Sequence, residues 1–161
     1  MTSISWVGFS LQSYIVTLTI IVLLYFLGYH WEAISSIIAA LIVGMLNQKI
    51  KTLVHRARPS INLIHVTKLL NSYSFPSGHV MFYTGFFGFI LFLIFTQFKP
   101  SWIRTLILVV LSSHVLLVGI SRIYLGEHWA SDVVGAYLLG GLCLMGFIRL
   151  YLWGKARFFV H

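Results

Sequence analysis

The sequence predicts an all-α membrane protein, a polytopic transmembrane helical bundle with about five spans. Of the 161 residues, 59% are hydrophobic and only 9% are charged, whereas a soluble domain carries about 25% charged residues. Apolar stretches reach 16 to 20 residues, close to the roughly 20 that a helix needs to cross a bilayer. They lack the alternation of strands, and only helices and closed barrels keep all backbone groups paired in hydrocarbon. We therefore expect one membrane-embedded domain over residues 1–161.

The predicted spans cover residues 14–29, 33–50, 80–98, 102–120 and 133–152. The first two are separated by a very short link, and the third and fourth by a short turn that contains Pro100. Two longer polar loops, residues 49–78 and 121–132, follow the second and the fourth span. If each span crosses once, both loops lie on the same side of the membrane, so a site could be built from them together.

The charge balance is strongly basic, with 11 Lys and Arg against three acidic residues and a formal net charge of +8. In a soluble protein this would suggest nucleic acid, but the sequence has no strip of interleaved aromatic and basic residues. In a membrane protein, basic residues between spans set topology or bind an anionic substrate. We expect the lipid bilayer as a partner and no nucleic acid. Cys143 is the single cysteine, so no intrachain disulfide forms, and the uncharged N-terminus does not resemble a cleavable signal peptide.

The first motif directly follows the second span and consists of Lys51, six residues, Arg58 and Pro59. Arg offers a planar fork for phosphate oxygens and Lys a compact charge, while Pro59 ends helical structure and turns the chain. Two such cations near a helix end can bind an anion. The same residues could also be a positive flank that anchors the span at the lipid headgroups.

The second motif, Pro76, Ser77, Gly78 and His79, immediately precedes the third span. Ser77 can cap the helix and donate a hydroxyl, Gly78 lets the backbone approach a ligand closely, and the free N–H groups of a helix start attract phosphate. His79 adds a titratable proton donor. The alternative is an ordinary capped helix start with an interfacial histidine.

The third motif is Ser121, Arg122, five residues, His128, three residues and Asp132, bordering the fifth span. A spacing of four puts His128 and Asp132 on one face if that segment is helical. The carboxylate can then hold one ring nitrogen of the histidine and leave the other free to attack a substrate. A satisfied hydrogen-bond pair at the membrane surface is the simpler alternative.

Together, the three motifs resemble the tripartite signature of the type 2 phosphatidic acid phosphatases, a superfamily shared with vanadium haloperoxidases. The resemblance runs from the first span to about Leu152. It implies a helical membrane core in which His128 attacks phosphorus and forms a phosphohistidine, Asp132 orients His128, and His79 protonates the leaving oxygen. It further implies that the phosphoryl oxygens are held without a metal ion or other cofactor by a set of five residues: Lys51, Arg58, Ser77, Gly78 and Arg122.

The resemblance also implies a missing element, because membrane members usually have six spans with three before the first motif, and we count two. Residues 2–8 resemble the stretch that normally follows the first span. We therefore expect that span to be absent from this sequence, in a short member or a trimmed chain, which puts stability and part of the lipid access route in doubt but leaves the three motifs intact.

The orientation of the site follows from basic residues on the two faces. The site face carries six: Lys49, Lys51, Arg56, Arg58, Lys68 and Arg122. The opposite face carries five: Lys99, Arg104, Arg149, Lys155 and Arg157. Lys51, Arg58 and Arg122 have an implied catalytic use. When they are discounted, three basic residues remain on the site face against five on the opposite face, and the positive-inside rule favours an extracytoplasmic site in a bacterial cytoplasmic membrane.

The function expected from the resemblance is hydrolysis of a phosphomonoester or diphosphate of a membrane lipid. Undecaprenyl diphosphate, phosphatidylglycerol phosphate, phosphatidate and diacylglycerol pyrophosphate are all chemically suitable. The alternative is a non-catalytic protein that binds or transports a lipid phosphate, although binding alone needs neither His128 nor His79. We expect Glu127 to be an exposed loop carboxylate. His114, inside the fourth predicted span, either bonds to a neighbouring helix or tunes the site.

Overall fold

The computed structural model describes residues 11–60 and 72–158. Five helices follow one another in these ranges: α1 (Leu11–Phe26), α2 (His30–Val54), α3 (Gly78–Gln97), α4 (Trp102–Tyr124) and α5 (Ala130–Phe158). A π-helical turn over Tyr83–Phe87 interrupts the α-helical pattern of α3. No strand occurs among the described residues. The all-α transmembrane fold predicted from the sequence is confirmed.

Each predicted span overlaps one of these helices, although the helices begin and end at other residues than the predicted spans. Helices α2 to α5 are long and apolar enough to cross a membrane, whereas α1 is a shorter apolar helix. Its 16 residues extend about 24 Å at 1.5 Å per residue, less than the roughly 30 Å of hydrocarbon in a bilayer. Residues 2–8 and Lys68, which entered the predictions above, lie outside the described residues.

Helix α2 continues further than predicted, into the segment expected to be a loop. It ends at Val54, after which His55 adopts a left-handed conformation with φ 51° and donates its backbone N–H to the carbonyl of Lys51. Lys51 is therefore fixed on the last turn of a helix. At the opposite end of the bundle, Ser101 caps α4 by accepting a hydrogen bond from the backbone N–H of Arg104 at 3.1 Å.

Helix α3 lies at the centre of the described bundle. Its apolar residues include Val80, Phe86 and Phe89, all with 0% exposure. Gly140 of α5 lets the two helices approach closely, because a Cβ atom there would lie 2.8 Å from Cβ of Thr84 and 3.0 Å from the carbonyl oxygen of Met81. Small residues at such crossings are the usual means of packing helices in a membrane. The second motif, at the start of α3, is thereby held against α5.

A buried polar cluster joins α2, α3 and α5 at the end of the bundle opposite to the motifs. Glu32 accepts hydrogen bonds from the Tyr151 hydroxyl at 2.7 Å and from Nζ of Lys155 at 2.9 Å. Lys155 also donates to Oε1 of Gln97 at 2.7 Å. Lys155, which the sequence analysis linked only to topology, therefore has a structural role.

Candidate active site

The two polar loops predicted to share a face do meet at one end of the bundle. Lys51 lies on the last turn of α2 and Arg58 on the segment that follows it. Ser77, Gly78 and His79 lie at the start of α3, where the backbone N–H of Ser77 approaches the carbonyl of Asp132 at 3.4 Å. The remaining predicted site residues lie on α4, on α5 and between them: Arg122 on the last turn of α4, His128 on the α4–α5 link, and Asp132 on the first turn of α5.

His128 and Asp132 face each other, but not through the helical spacing that the sequence suggested. His128 precedes the first residue of α5, Ala130, so the two residues do not share one helix. Nδ1 of His128 lies 3.7 Å from Oδ2 of Asp132, longer than a hydrogen bond. The same Oδ2 accepts a hydrogen bond from the backbone N–H of Trp129 at 3.0 Å. The turn that starts α5 therefore fixes the carboxylate beside the imidazole.

Ser74 connects this pair and was missed by the sequence analysis. Its hydroxyl donates to Oδ2 of Asp132 at 2.5 Å and lies 3.5 Å from Nδ1 of His128. Ser74 is fully buried, and its backbone N–H donates to the carbonyl of Arg56 at 2.8 Å. Its only sequence signal was a position two residues before Pro76, which does not distinguish it from other loop serines.

Arg56 was also missed, since we counted it only as a topology residue. Its Nη1 lies 2.7 Å from Oδ1 of Asp132 and 2.8 Å from the hydroxyl of Ser131. Asp132 is fully buried, and a buried carboxylate is stable only when it is paired or hydrogen-bonded. Arg56, Ser74 and the Trp129 backbone together provide those partners.

The other ring nitrogen of His128 faces a cation. Nη1 of Arg58 lies 3.2 Å from Nε2 of His128 and donates to the carbonyl of Glu127 at 2.6 Å. Burial lowers the pKa of His128, and the positive charges of Arg58 and Lys51 lower it further, while Asp132 opposes them. The lowered pKa favours the neutral imidazole near pH 7, and Nε2, which faces the guanidinium donor of Arg58, is then the nitrogen that carries the lone pair.

The expectation for Glu127 is wrong, because the side chain is buried. Its Oε2 lies 2.7 Å from Nη1 of Arg122, and both side chains are largely removed from solvent. A buried cation such as Arg122 needs a partner of opposite charge. Burying Arg122 without an opposite charge would be costly, and this explains why the carboxylate of Glu127 turns inward from the polar loop.

Three cationic side chains, those of Lys51, Arg58 and Arg122, lie at this end of the bundle. Nζ of Lys51 donates to the carbonyl of Tyr73 at 2.6 Å. Nε of Arg122 and the hydroxyl of Ser77 are buried without a hydrogen-bond partner. Ser77 occupies the N-cap position of α3, yet its side chain does not cap the helix as predicted. These donors are therefore available to an oxyanion, as are the N–H groups at a helix start.

Two further predictions concern metal ligands and His114. Among residues 11–60 and 72–158, no group of three or more His, Cys, Asp or Glu side chains is arranged to hold a metal ion. Nδ1 of His114 lies 2.9 Å from the carbonyl of Val110 on its own helix, and the ring is exposed. The predicted bond from His114 to a neighbouring helix is therefore replaced by a contact within α4.

Comparisons with known proteins point to one family. The family model described as the PAP2 superfamily matches residues 30–156. Phosphatidylglycerophosphatase B of Bacillus subtilis is 30% identical over 144 residues, which cover 87% of this chain and 68% of that protein. The undecaprenyl-diphosphatase of Sulfolobus acidocaldarius is 34% identical over 112 residues, covering 66% of this chain and 49% of the relative.

A solved structure agrees with these sequence relatives. The crystal structure of the first transmembrane PAP2 type phosphatidylglycerolphosphate phosphatase from Bacillus subtilis superposes with a TM-score of 0.80 at 27% identity. The match covers 92% of this chain and 73% of that one. The matched residues of the family model span most of the chain, including all three motif positions, and the chain belongs to the PAP2 superfamily.

Proposed function

We propose that this chain is an integral membrane lipid phosphatase that hydrolyses a phosphomonoester or diphosphate through a phosphohistidine on His128. The observation that carries the proposal is the environment of His128. One ring nitrogen faces Asp132 and Ser74, and the other faces Arg58 within a group of cations. Binding alone would need the cations but not a neutral, oriented imidazole. Family membership and the phosphatase names of both relatives support the enzyme class.

In the first step, Nε2 of His128 attacks phosphorus and the bond between phosphorus and the leaving oxygen breaks. Asp132 and Ser74 hold Nδ1 so that Nε2 keeps its lone pair and its direction, as the aspartate does in a hydrolase triad. His79, in the first turn of α3, donates a proton to the leaving oxygen. In the second step, water gives a proton to His79 and attacks phosphorus, and the Nε2–phosphorus bond breaks to release inorganic phosphate.

Stabilisation of the transferring phosphoryl group falls to the surrounding donors. Lys51, Arg58 and Arg122 supply positive charge, and the Ser77 hydroxyl and the Gly78 backbone N–H supply hydrogen bonds at the start of α3. Electrostatic stabilisation and positioning are what proteins mainly contribute to phosphoryl transfer. All of these groups come from the protein, and we propose that the reaction requires no metal ion.

The substrate is a lipid whose phosphate lies at the membrane surface. The site is at the ends of the spans, so a lipid held in the bilayer can present its headgroup there. The relatives are named for phosphatidylglycerol phosphate and undecaprenyl diphosphate, and we propose one of these two, with phosphatidate and diacylglycerol pyrophosphate as further candidates. When the three basic residues with a proposed catalytic role are discounted, three remain on the site face against five on the opposite face, and this balance supports an extracytoplasmic site in a bacterial cytoplasmic membrane.

The test is phosphate release from a panel of these lipids in detergent with EDTA present. We expect the wild type to release phosphate from at least one lipid and His128→Ala to release none. His30→Ala is the matched control, because His30 lies at the opposite end of α2 and contacts the ring of Tyr25. No release by a folded wild-type protein would support the alternative of a lipid-phosphate binding or transport protein, and loss of activity on adding EDTA would refute metal independence.

A further inference from the structure

Tyr83 carries a polar group that the mechanism above does not use. It lies in the π-helical turn of α3, four residues after His79, and is 2% exposed. Its hydroxyl is buried and has no hydrogen-bond partner. Burying a hydroxyl without a partner is unfavourable, and single π-helical turns often occur at functional sites. The hydroxyl therefore requires a physical explanation.

Tyr83 follows the second motif by about one helical turn on α3, and other side-chain atoms at this end of the bundle also lack a hydrogen-bond partner. Among the described residues, the buried side-chain atoms without a partner are Thr17 Oγ1, Ser77 Oγ, Tyr83 Oη, Arg104 Nε and Arg122 Nε. Ser77 and Arg122 already belong to the proposed phosphate site, and Tyr83 interacts electrostatically with Arg122. The hydroxyl of Tyr83 and Nε of Arg122 can both donate hydrogen bonds. An anionic oxygen between them would satisfy both groups.

The same side chain borders a large apolar space on its other side. Tyr83 lines a cavity of about 840 Å³ between α1, α3 and α4, a volume in the range of ligand-binding cavities. Its walls are mostly aliphatic and aromatic, and include Ile20, Phe87 and Ile90. Tyr83 thus stands between a charged site and an apolar cavity, the kind of boundary that suits a side chain with an apolar ring and a polar tip.

We propose that Tyr83 is a substrate-binding residue whose hydroxyl donates a hydrogen bond to a phosphate oxygen that Arg122 also binds. Its ring lies where the hydrocarbon chain of the same lipid passes into the cavity. The inference rests on the proposed lipid phosphatase activity. Tyr83 lies outside all three motifs, so the motif pattern does not assign it this contact.

The experiment compares Tyr83→Phe with the wild type in detergent, using the lipid that the wild type hydrolyses. We expect kcat/KM to fall about 10- to 100-fold, the usual effect of losing one hydrogen bond to a charged group. We expect Tm without ligand to stay unchanged or to rise, because the hydroxyl has no partner in the protein to lose and its burial without one is unfavourable. The rise in Tm caused by vanadate, a phosphate mimic, should become smaller in the variant, since anion binding stabilises the folded state.

Tyr137→Phe is the matched control. The hydroxyl of Tyr137 accepts a hydrogen bond from the backbone N–H of Gly119 and donates to the carbonyls of α4, with the shortest distance, 2.7 Å, to Leu116. Its removal should lower Tm and leave the vanadate effect intact. The control therefore shows what a purely structural tyrosine does.

Three outcomes would overturn the role of Tyr83: unchanged kcat/KM, an unchanged vanadate effect, or a fall in Tm like that of Tyr137→Phe. The vanadate arm does not depend on turnover. If the wild type hydrolyses no lipid, the proposed function fails, whereas the response of Tyr83→Phe to vanadate still decides whether the hydroxyl contacts the bound anion.

Discussion

Nη1 of Arg56 lies 2.7 Å from Oδ1 of Asp132, the carboxylate whose second oxygen faces His128. Asp132 is therefore held on both sides, with a cation at one oxygen and Ser74, Trp129 and His128 near the other. A carboxylate fixed in this way can orient an imidazole without rotating. Arg56 and Ser74, neither of them a signature residue of the motifs, therefore help to position the proposed nucleophile, His128.

Arg56→Ala should lower kcat about tenfold, which corresponds to roughly 1.4 kcal/mol. The change frees one oxygen of Asp132 and loosens the orientation of His128, while the phosphate-binding residues stay in place, so KM should change less than kcat. Steady-state kinetics on the lipid substrate measure the effect. Lys49→Ala, which removes the same charge from an exposed position on α2, is the control, and an equal loss in that variant would assign the effect to general electrostatics.

Ser74→Ala should reduce kcat by about 10- to 100-fold, because it removes a buried hydrogen bond to an ionised carboxylate. Ser74→Thr keeps the hydroxyl and should recover part of the activity. Thr52→Ala is a suitable control, since the hydroxyl of Thr52 donates to the carbonyl of Lys49 at an exposed position. Wild-type turnover by Ser74→Ala would remove Ser74 from the mechanism.

The pH dependence should report the environment of His128. Attack requires the neutral imidazole, and its pKa is lowered from the ordinary value of 6.5 by burial and by the charges of Arg58 and Lys51. The acidic limb of kcat/KM should therefore lie below pH 6.5. Arg58→Gln removes one of the cations, so the pKa of His128 rises and the acidic limb moves to higher pH, at lower absolute activity. Profiles of kcat/KM against pH, measured for the wild type and Arg58→Gln on one substrate, test this prediction. A shift of the acidic limb to lower pH in the variant would contradict the assignment of that limb to His128.

Glu32→Gln should destabilise the bundle without affecting the chemistry. The carboxylate of Glu32 bonds to Tyr151 and Lys155, at the end of the bundle opposite to His128. We expect a loss of about 1.5–3 kcal/mol in the free energy of unfolding, the usual range for hydrogen bonds to charged groups, and a Tm lower by several degrees in detergent. Turnover per folded protein below that Tm should match the wild type. A change in kcat without a change in Tm would indicate that the two ends of the bundle are coupled.

Much of this structure could be predicted from local pattern. Apolar length located α2 to α5, and the three motifs located Lys51, Arg58 and Arg122 at one end of the bundle. The missed or misread residues depend on contacts between distant segments. Ser74 and Asp132 are 58 positions apart, and no periodicity links them. Glu127 looked like a solvated loop residue because its reason for burial, the Arg122 side chain, becomes apparent only in three dimensions.

The cationic groups of the site already hold protein acceptors: Arg122 is bound to Glu127, Arg58 to the Glu127 carbonyl, and Lys51 to the Tyr73 carbonyl. In the proposed reaction, an arriving phosphate would have to exchange with these acceptors at every cation, while the Ser77 hydroxyl and Nε of Arg122 have no acceptor to give up. The exchange weakens the hold on any small anion, including the inorganic phosphate left after each cycle. In the proposed cycle the acceptors would return to their cations as the product departs, so the contacts that close the resting site would favour release and limit inhibition by free phosphate.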